Sequence, residues 1–294
     1  RRFFRIAPLF YLAIGLYTLV YGFGPREYAP NGIQAWQYPL TFLFLNGWHP
    51  EAINSIVPIE WSVAIEMTFY LCIPLLFAAL KDLESTGLFI IGSLILQFTL
   101  AAVLTPVLML HYPDQSRLVR SFLFLWFFSQ LPVFGIGIAT YHIFRATKLV
   151  KDRKLGLTLL AGAVFLFVVG LNVKTFLGLL PQHVFYAVAF LLFALALHYH
   201  PTRVLVNPFT RWVGRVSYSL YLLHFLVVEL IMRALPAPWP MGKTTAFFLA
   251  FVLITGLSLP VAGLSYRFIE VPGMNFGKRL IRGLEKPAAP QTAP

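Results

Sequence analysis

The chain has 294 residues, of which 59% are hydrophobic and only 12% are charged, and its mean hydropathy is +0.76. Soluble globular domains carry about 25% charged residues, so this composition excludes a soluble enzyme and indicates a polytopic membrane protein. The net charge of +12 would suggest nucleic acid in a soluble protein, but the basic residues here flank apolar segments, which favours membrane topology and contact with anionic lipid.

Long apolar segments recur along the chain, each near the length of about 20 residues that a transmembrane helix needs. They lack the alternation of barrel strands, so each is predicted to be an α-helix. We therefore expect an all-α polytopic membrane protein with about eight transmembrane helices. The predicted spans are residues 4–23, 61–80, 87–108, 120–143, 155–172, 183–199, 216–234 and 244–267.

A shorter apolar run at residues 36–48 contains Pro39. Runs of about 10–14 residues more often re-enter the membrane or lie at its interface than cross it, so we predict a re-entrant or interfacial segment. With eight spans and a cytoplasmic N-terminus, 17 of the 23 Lys and Arg residues fall on the inner side, as the positive-inside rule expects. A ninth span at 36–48 would move the basic loop 145–154 to the outer side.

The spans are predicted to form one integral-membrane domain over residues 1–285, followed by a disordered tail at 286–294 with the sequence KPAAPQTAP. The chain begins at Arg1 without a methionine, and we expect a fragment or a trimmed protein. Cys72 is the single cysteine, which excludes an intrachain disulfide. The histidines form no metal-ligand spacing with Cys, Asp or Glu, so we predict no metal site.

Glu66 is the first candidate functional residue, because it lies inside the predicted span 61–80. A charged side chain there costs about 2.5–3.5 kcal/mol even on the most lenient insertion scale. Ser62 and Tyr70 lie four residues before and after it, on the same helix face. The three side chains could line a polar cavity, or they could form an internal hydrogen-bonded group that ties two helices together. The predicted topology puts Glu66 close to the outer face.

A second cluster is the sequence GRVSYSLYLLH at residues 214–224. Ser217, Tyr221 and His224 stand at positions i, i+4 and i+7, which form one stripe of a helix. A histidine that titrates near neutrality beside two hydroxyls suits acid–base chemistry. A packing helix with a hydrogen-bonded histidine is an equally open interpretation.

Arg1, Arg2 and Arg5 stand just before the first predicted span, at the inner interface. Such residues could anchor the topology of the chain. They could also bind the phosphates of a donor substrate, for which the arginine fork is well suited.

The segment SYRFIEVPG at residues 265–273 closes the last predicted span. Arg267 and Glu270 could pair with each other or with another loop. Pro272 and Gly273 predict that the helix ends at this point.

These four motifs, in this order, resemble those of the membrane acyltransferase family 3, bacterial O-acyltransferases that modify cell-surface glycans. The family motifs are RRxxRIxP before its third span, WSLxxExxFYL, GxxSYxxYLxH at the start of a late span, and FIExP near the last span's end. The resemblance covers the whole chain up to the tail. The matching residues are Arg1, Arg2, Arg5, Pro8, Trp61, Ser62, Glu66, Phe69, Tyr70, Leu71, Gly214, Ser217, Tyr218, Tyr221, Leu222, His224, Phe268, Ile269, Glu270 and Pro272.

The chain departs from the family pattern at Met67 and Thr68, where the family often has Glu and Gln after the first Glu, and at Val271, where it often has Arg. The family also normally begins with two further spans, the first of which holds a histidine regarded as catalytic. This chain starts after both, so no residue here inherits the role of that base by motif. We therefore expect residues 1–294 alone to form an incomplete and inactive catalytic unit.

The resemblance implies transfer of an acyl group, usually acetyl, from cytoplasmic acyl-CoA (acetyl-CoA) to a hydroxyl of a cell-envelope glycan or lipid-linked sugar. It implies a multi-pass protein of the bacterial inner membrane, with acyl-CoA as co-substrate and no bound cofactor. The catalytic candidates are Glu66, His224, Tyr221 and Ser217. The candidates for substrate or donor binding are Arg1, Arg2, Arg5, Trp61, Ser62, Tyr70 and Glu270.

A proton-coupled membrane transporter, or a flippase for lipid or sugar, is the alternative. Glutamate and histidine inside the membrane can also relay protons during transport. Residues 132–135, with the sequence PVFG, interrupt one predicted span in a way that would suit a transporter.

Overall fold

The computed structural model describes residues 2–147, 151–172, 175–176, 180–235 and 241–284. Within these ranges, eight helical segments are long and apolar enough to cross a membrane, which confirms the predicted all-α membrane fold. Two short antiparallel strands, β1 (Thr175–Phe176) and β2 (Leu180–Pro181), form a hairpin. The helices are α1 Phe3–Tyr21, α2 Gln37–Phe42, α3 Glu60–Ala79, α4 Leu83–His111, α5 Ser116–Leu125, α6 Phe127–Ala146, α7 Arg153–Asn172, α8 Gln182–Tyr199, α9 Pro208–Ala234, α10 Lys243–Ser265 and α11 Val271–Leu284.

The segment at 36–48 packs along α1 and is not one of the eight candidate spans, which confirms the prediction that it is not a ninth span. The hydroxyl of Tyr38 lies 2.9 Å from that of Thr18, near the end of α1. Farther along the segment, the ring of Phe44 stacks on Phe10 with 5.1 Å between centroids. Thr18 and Phe10 are about 12 Å apart along the helix axis. Phe44, two residues after the end of α2, adopts a left-handed φ of 59°.

The helix α9 begins at Pro208, eight residues before the predicted start at residue 216. The Asn207 side chain accepts a hydrogen bond from the Thr210 N–H at 3.0 Å, and the Thr210 hydroxyl accepts one from the Asn207 N–H at 3.1 Å. This reciprocal cap, with proline at the first helical position, is a strong helix start. The predicted span 216–234 lies within α9, and the helix extends eight residues further because its first turns are polar and gave no apolar run.

Two helices that carry much of the candidate site, α1 and α9, are joined through tyrosine hydroxyls. Tyr17 is fully buried, and its hydroxyl donates to the carbonyl of Leu222 at 2.9 Å and accepts from the N–H of Leu226 at 3.0 Å. In the other direction, Tyr218 donates to the carbonyl of Ile6 at 2.9 Å. A buried hydroxyl without a partner costs free energy, so these bonds favour one relative position of α1 and α9.

The start of α3 is held by Arg26, from the loop after α1, and by Glu60, the first residue of α3 itself. The guanidinium of Arg26 donates to the carbonyls of Ser55 at 3.1 Å and Ile56 at 3.0 Å. The fully buried carboxylate of Glu60 accepts a hydrogen bond from the Ile56 N–H at 3.0 Å. Polar backbone inside a membrane protein must be satisfied by protein groups, and these contacts do so where the loop enters α3.

The last span does not end at Pro272 and Gly273, which corrects the predicted helix end. A π-helical turn at Tyr266–Glu270 joins α10 to α11, and Pro272 lies in the first turn of α11. Proline is tolerated there because the first turn needs no N–H donor within the helix. The helix therefore continues past residue 273 and packs against α1.

Two glycines allow α11 to approach α1 closely. A Cβ added at Gly273 would lie 2.6 Å from the carbonyl oxygen of Phe4, and one added at Gly277 would lie 2.5 Å from the Phe4 ring. The spacing of four residues puts both glycines on one face of the helix, as in other close contacts between membrane helices. This contact sets the position of the π-turn relative to the start of α1.

We expect Gly277→Ala to destabilise the protein by about 1–3 kcal/mol, because the added methyl group would overlap the Phe4 ring. The matched control is Gly283→Ala in the same helix, where a Cβ would meet nothing within 4 Å. That change is expected to be neutral or to stabilise by up to about 1 kcal/mol. Unfolding in detergent measures both; equal stability of the two variants would contradict the close contact.

Candidate active site

A cavity of about 490 Å³ lies between the start of α1, the middle of α3 and the first half of α9. We call it the cationic cavity, since its walls carry two arginines together with one carboxylate and three hydroxyls. Three of the four sequence motifs thus contribute side chains to one space. The lining residues are Arg2, Arg5, Ile6, Glu66, Gly214, Ser217, Tyr218 and Tyr221.

Glu66 is linked to the arginine end of this cavity through Tyr70. The Tyr70 hydroxyl donates a hydrogen bond to the Glu66 carboxylate one helical turn away. The guanidinium carbon of Arg2 lies 5.7 Å from the centroid of the Tyr70 ring, within cation–π range. The expectation that Glu66 would lie far from the arginines, at the opposite face, was therefore wrong. Counting depth along one helix did not reveal that the start of α1 faces the middle of α3.

The wall between α3 and α9 is closed by two hydroxyls. The oxygens of Ser62 and Tyr221 are 2.7 Å apart, so one hydroxyl donates to the other. The Tyr221 hydroxyl also lies 3.3 Å from the carbonyl of Ile59, just before α3. Ser217 bonds to the carbonyl of Gly214 in its own helix at 3.0 Å and leaves its side chain exposed to the cavity.

Arg5 is held in the cavity wall by Glu270 of the π-turn. The Arg5 Nε lies 3.4 Å from the carboxylate of Glu270, which is fully buried, and Arg5 also donates to the carbonyl of Arg215 at 3.4 Å. Ser219 donates to the other carboxylate oxygen of Glu270 at 2.5 Å. Glu270 therefore positions Arg5 and does not itself line the cavity. Arg267 does not pair with Glu270 but packs over the Phe268 ring.

His224 is not among the residues that line the cationic cavity. Its Nδ1 lies 2.7 Å from the carbonyl of Tyr221 in the same helix, and its ring centroid is 4.3 Å from that of Phe225. Of the three residues predicted to form one stripe on α9, Ser217 and Tyr221 line the cavity and His224 does not. Arg1, the remaining donor candidate, lies outside the described residues.

Sequence reasoning did not identify Ser219 or Ser265 as part of this region. The Ser219 hydroxyl donates its one proton to the Glu270 carboxylate and lies 3.1 Å from the Ser265 hydroxyl, from which it can accept. Both serines are buried, and isolated serines within apolar spans form no distinctive pattern. The π-turn that brings Glu270 to α9 also has no sequence signal beyond the FIExP motif.

A second cavity, of about 340 Å³, lies between α3 and α6. We call it the α3–α6 cavity; its walls are almost entirely alkyl and aromatic. Phe69 and Phe134 stack in it with 3.9 Å between ring centroids. Glu66 lines both cavities, whereas Trp61, Ser62 and Tyr70 belong to this one. The lining residues are Trp61, Ser62, Ile65, Glu66, Phe69, Tyr70, Gln130, Val133 and Phe134.

Apolar spans and this polar interior define a multi-pass helical membrane protein with a cationic cavity that reaches an intramembrane carboxylate. The sequence model of a family described as an acyltransferase domain matches residues 1–267. The chain therefore belongs to the acyltransferase 3 family, as the four motifs predicted. Among the described residues, no group of three or more His, Cys, Asp or Glu side chains is arranged to hold a metal ion.

Relatives of the chain include proteins of Staphylococcus aureus strains COL, MSSA476 and MRSA252, each named "Putative O-acetyltransferase". Each is 27% identical over 250 residues, covering 78% of this chain and 38% of the relative. The chain thus spans less than half the length of these relatives. No solved structure matches the chain.

A double-mutant cycle tests the pair between Arg5 and Glu270. Arg5→Met leaves a buried carboxylate without its cation and is expected to cost up to about 3–5 kcal/mol of stability. Glu270→Gln combined with Arg5→Met should restore most of that loss, because the amide can still accept from Ser219. Unfolding of both single variants and the double variant in detergent measures the coupling; strictly additive losses would contradict a direct pair.

Proposed function

We propose that the protein is a membrane-integral O-acyltransferase, with acyl-CoA as donor and a hydroxyl of a cell-envelope glycan or lipid-linked sugar as acceptor. The observation that carries the proposal is the convergence of Arg2, Arg5 and Glu66 on one cavity in a chain of the acyltransferase 3 family. The proposed location is the bacterial inner membrane with residue 1 on the cytoplasmic side, supported by the positive-inside distribution of Lys and Arg. Acetyl is the acyl group that the relatives' names suggest.

The donor end of the proposed site is formed by Arg2 and Arg5. Guanidinium groups bind phosphate oxygens through paired, charge-assisted hydrogen bonds, and coenzyme A carries phosphates at one end. The Arg2 side chain is exposed and packs over the Tyr70 ring. Within the described part of the chain it forms no salt bridge. Arg2 is therefore the better candidate for phosphate binding, with Arg5 held by Glu270 as a second cation.

The proposed reaction takes place near Glu66. The acceptor oxygen attacks the thioester carbon, a C–O bond forms, and the C–S bond breaks as coenzyme A leaves and takes up a proton. The Glu66 carboxylate accepts the hydroxyl proton, directly or through a second base, while Tyr221 and Ser217 offer hydroxyl donors to the tetrahedral oxyanion. That the family's catalytic histidine acts from a span outside this sequence stays a prediction.

The transporter alternative has less support than the sequence suggested. The span that contains Pro132 and Gly135 is continuous here, because α6 runs unbroken through both residues. A Cβ added at Gly135 would lie 2.6 Å from Ile90 and 3.1 Å from Phe89 of α4, so this glycine has a packing role. Transporter sites typically use helices broken near the membrane midplane.

Glu66→Gln should reduce acyl transfer by about 100-fold or more, because the amide can no longer take a proton. Each change is made in the native gene, and incorporation of radiolabelled acetyl from acetyl-CoA is measured in membranes that contain equal amounts of each variant. Glu229→Gln is the matched control, since Glu229 also lies in a span but pairs with Arg233 away from both cavities. Undiminished incorporation by Glu66→Gln, with loss of proton-coupled uptake, would instead support a transporter.

In the same membrane assay, with the change made in the native gene, Arg2→Ala should raise the KM for acyl-CoA by roughly 10- to 100-fold, which corresponds to one charge-assisted hydrogen bond. Arg2→Lys should recover part of the loss, because it keeps the charge but not the planar fork. Arg120→Ala, in the exposed face of α5, serves as the control. A fall in kcat with an unchanged KM would argue against donor binding by Arg2.

A further inference from the structure

The α3–α6 cavity is much larger than an acetyl group requires. A water molecule occupies about 30 Å³ of liquid volume, and a methyl group is of similar size, whereas this cavity measures about 340 Å³. Its lining is apolar, with Ile65, Phe69, Val133 and Phe134 contributing alkyl and aromatic groups. Such a surface has room for several carbon atoms and little capacity to bind a sugar through hydrogen bonds.

The α3–α6 cavity differs from two other apolar grooves of the protein because it lies next to Glu66. One groove of about 380 Å³ lies between α9 and α10, and another of about 170 Å³ lies between α7 and α8. Neither of these grooves is lined by a charged residue in the described part of the chain. The α3–α6 cavity alone among the three meets the cationic cavity, at the carboxylate of Glu66.

The two cavities together match the polarity of one acyl-CoA molecule. The phosphates would lie against Arg2 and Arg5, and the thioester would lie at Glu66. The acyl chain would extend from Glu66 into the α3–α6 cavity, toward Phe134. We propose that the α3–α6 cavity binds the acyl chain of the donor, and that this protein accepts acyl groups longer than acetyl. This inference rests on the proposed donor function of the cationic cavity.

A series of donors tests the inference through binding alone. Acetyl-, butyryl-, hexanoyl- and octanoyl-CoA are titrated calorimetrically against the protein in nanodiscs, with free coenzyme A as reference. Burial of each methylene can raise the affinity by at most roughly fourfold. We expect octanoyl-CoA to bind at least tenfold more tightly than acetyl-CoA.

Two matched valine variants show where the gain arises. Val133→Phe fills the α3–α6 cavity and should abolish the ratio between octanoyl and acetyl affinities. Val261→Phe makes the same change in the groove between α9 and α10 and should preserve that ratio. Phe134→Leu, which removes part of the ring volume at the far wall, should shift the preference toward longer chains.

The outcomes separate this inference from the proposed function. Equal affinities for acetyl- and octanoyl-CoA would overturn the chain site and leave the donor site intact. A chain-length gain that persists in Val133→Phe would also overturn it, because the gain would then come from the lipid of the nanodisc. Failure of the protein to bind coenzyme A in any form would overturn the donor function, and the chain site with it.

Discussion

The carboxylate of Glu270 is fully buried among helices, and its two oxygens are contacted by Arg5 of α1 and Ser219 of α9. A buried carboxylate without such partners would cost several kcal/mol, so three helical elements are required to meet at this one group. The contacts of Glu270 with Arg5 and Ser219 thereby fix the wall of the cationic cavity that Arg5 forms. The glycine contacts of α11 with Phe4 and the tyrosine bonds between α1 and α9 support the same arrangement.

The cationic cavity and the α3–α6 cavity meet on α3 at a single residue, Glu66. Ser62, Glu66 and Tyr70 repeat every four residues and form one stripe, which borders the cationic cavity at Glu66. Ser62 and Tyr70 also line the α3–α6 cavity, together with Ile65 and Phe69, and Phe134 of α6 packs on Phe69 there. A single helix thus presents a carboxylate at the boundary of two environments, and a substrate with a charged end and an apolar end could contact both.

Hydropathy alone predicted the number of spans, the all-helical fold and that residues 36–48 do not form a ninth span, because the length of an apolar run is set by bilayer thickness. It could not predict that α9 begins at Pro208 or that the chain continues helically beyond Pro272, since caps and a π-turn determine these ends locally. The motifs identified most side chains of the candidate site. They could not show that Glu66 faces Arg2 or that His224 lies off the cavity, because both depend on the packing of helices far apart in sequence.

The packing of the segment 36–48 on α1 bears on the order in which the protein folds during synthesis. Tyr38 and Phe44 find their partners on α1, so the segment has a surface to fold against only once α1 has been synthesised. Domains fold from the N-terminus as the chain emerges, and α1 precedes the segment by fewer than twenty residues. The α1 hairpin can therefore form early on the ribosome, whereas α9, which completes the cavity, arrives more than one hundred residues later. The order of synthesis leaves the polar interior open until the late spans have been inserted.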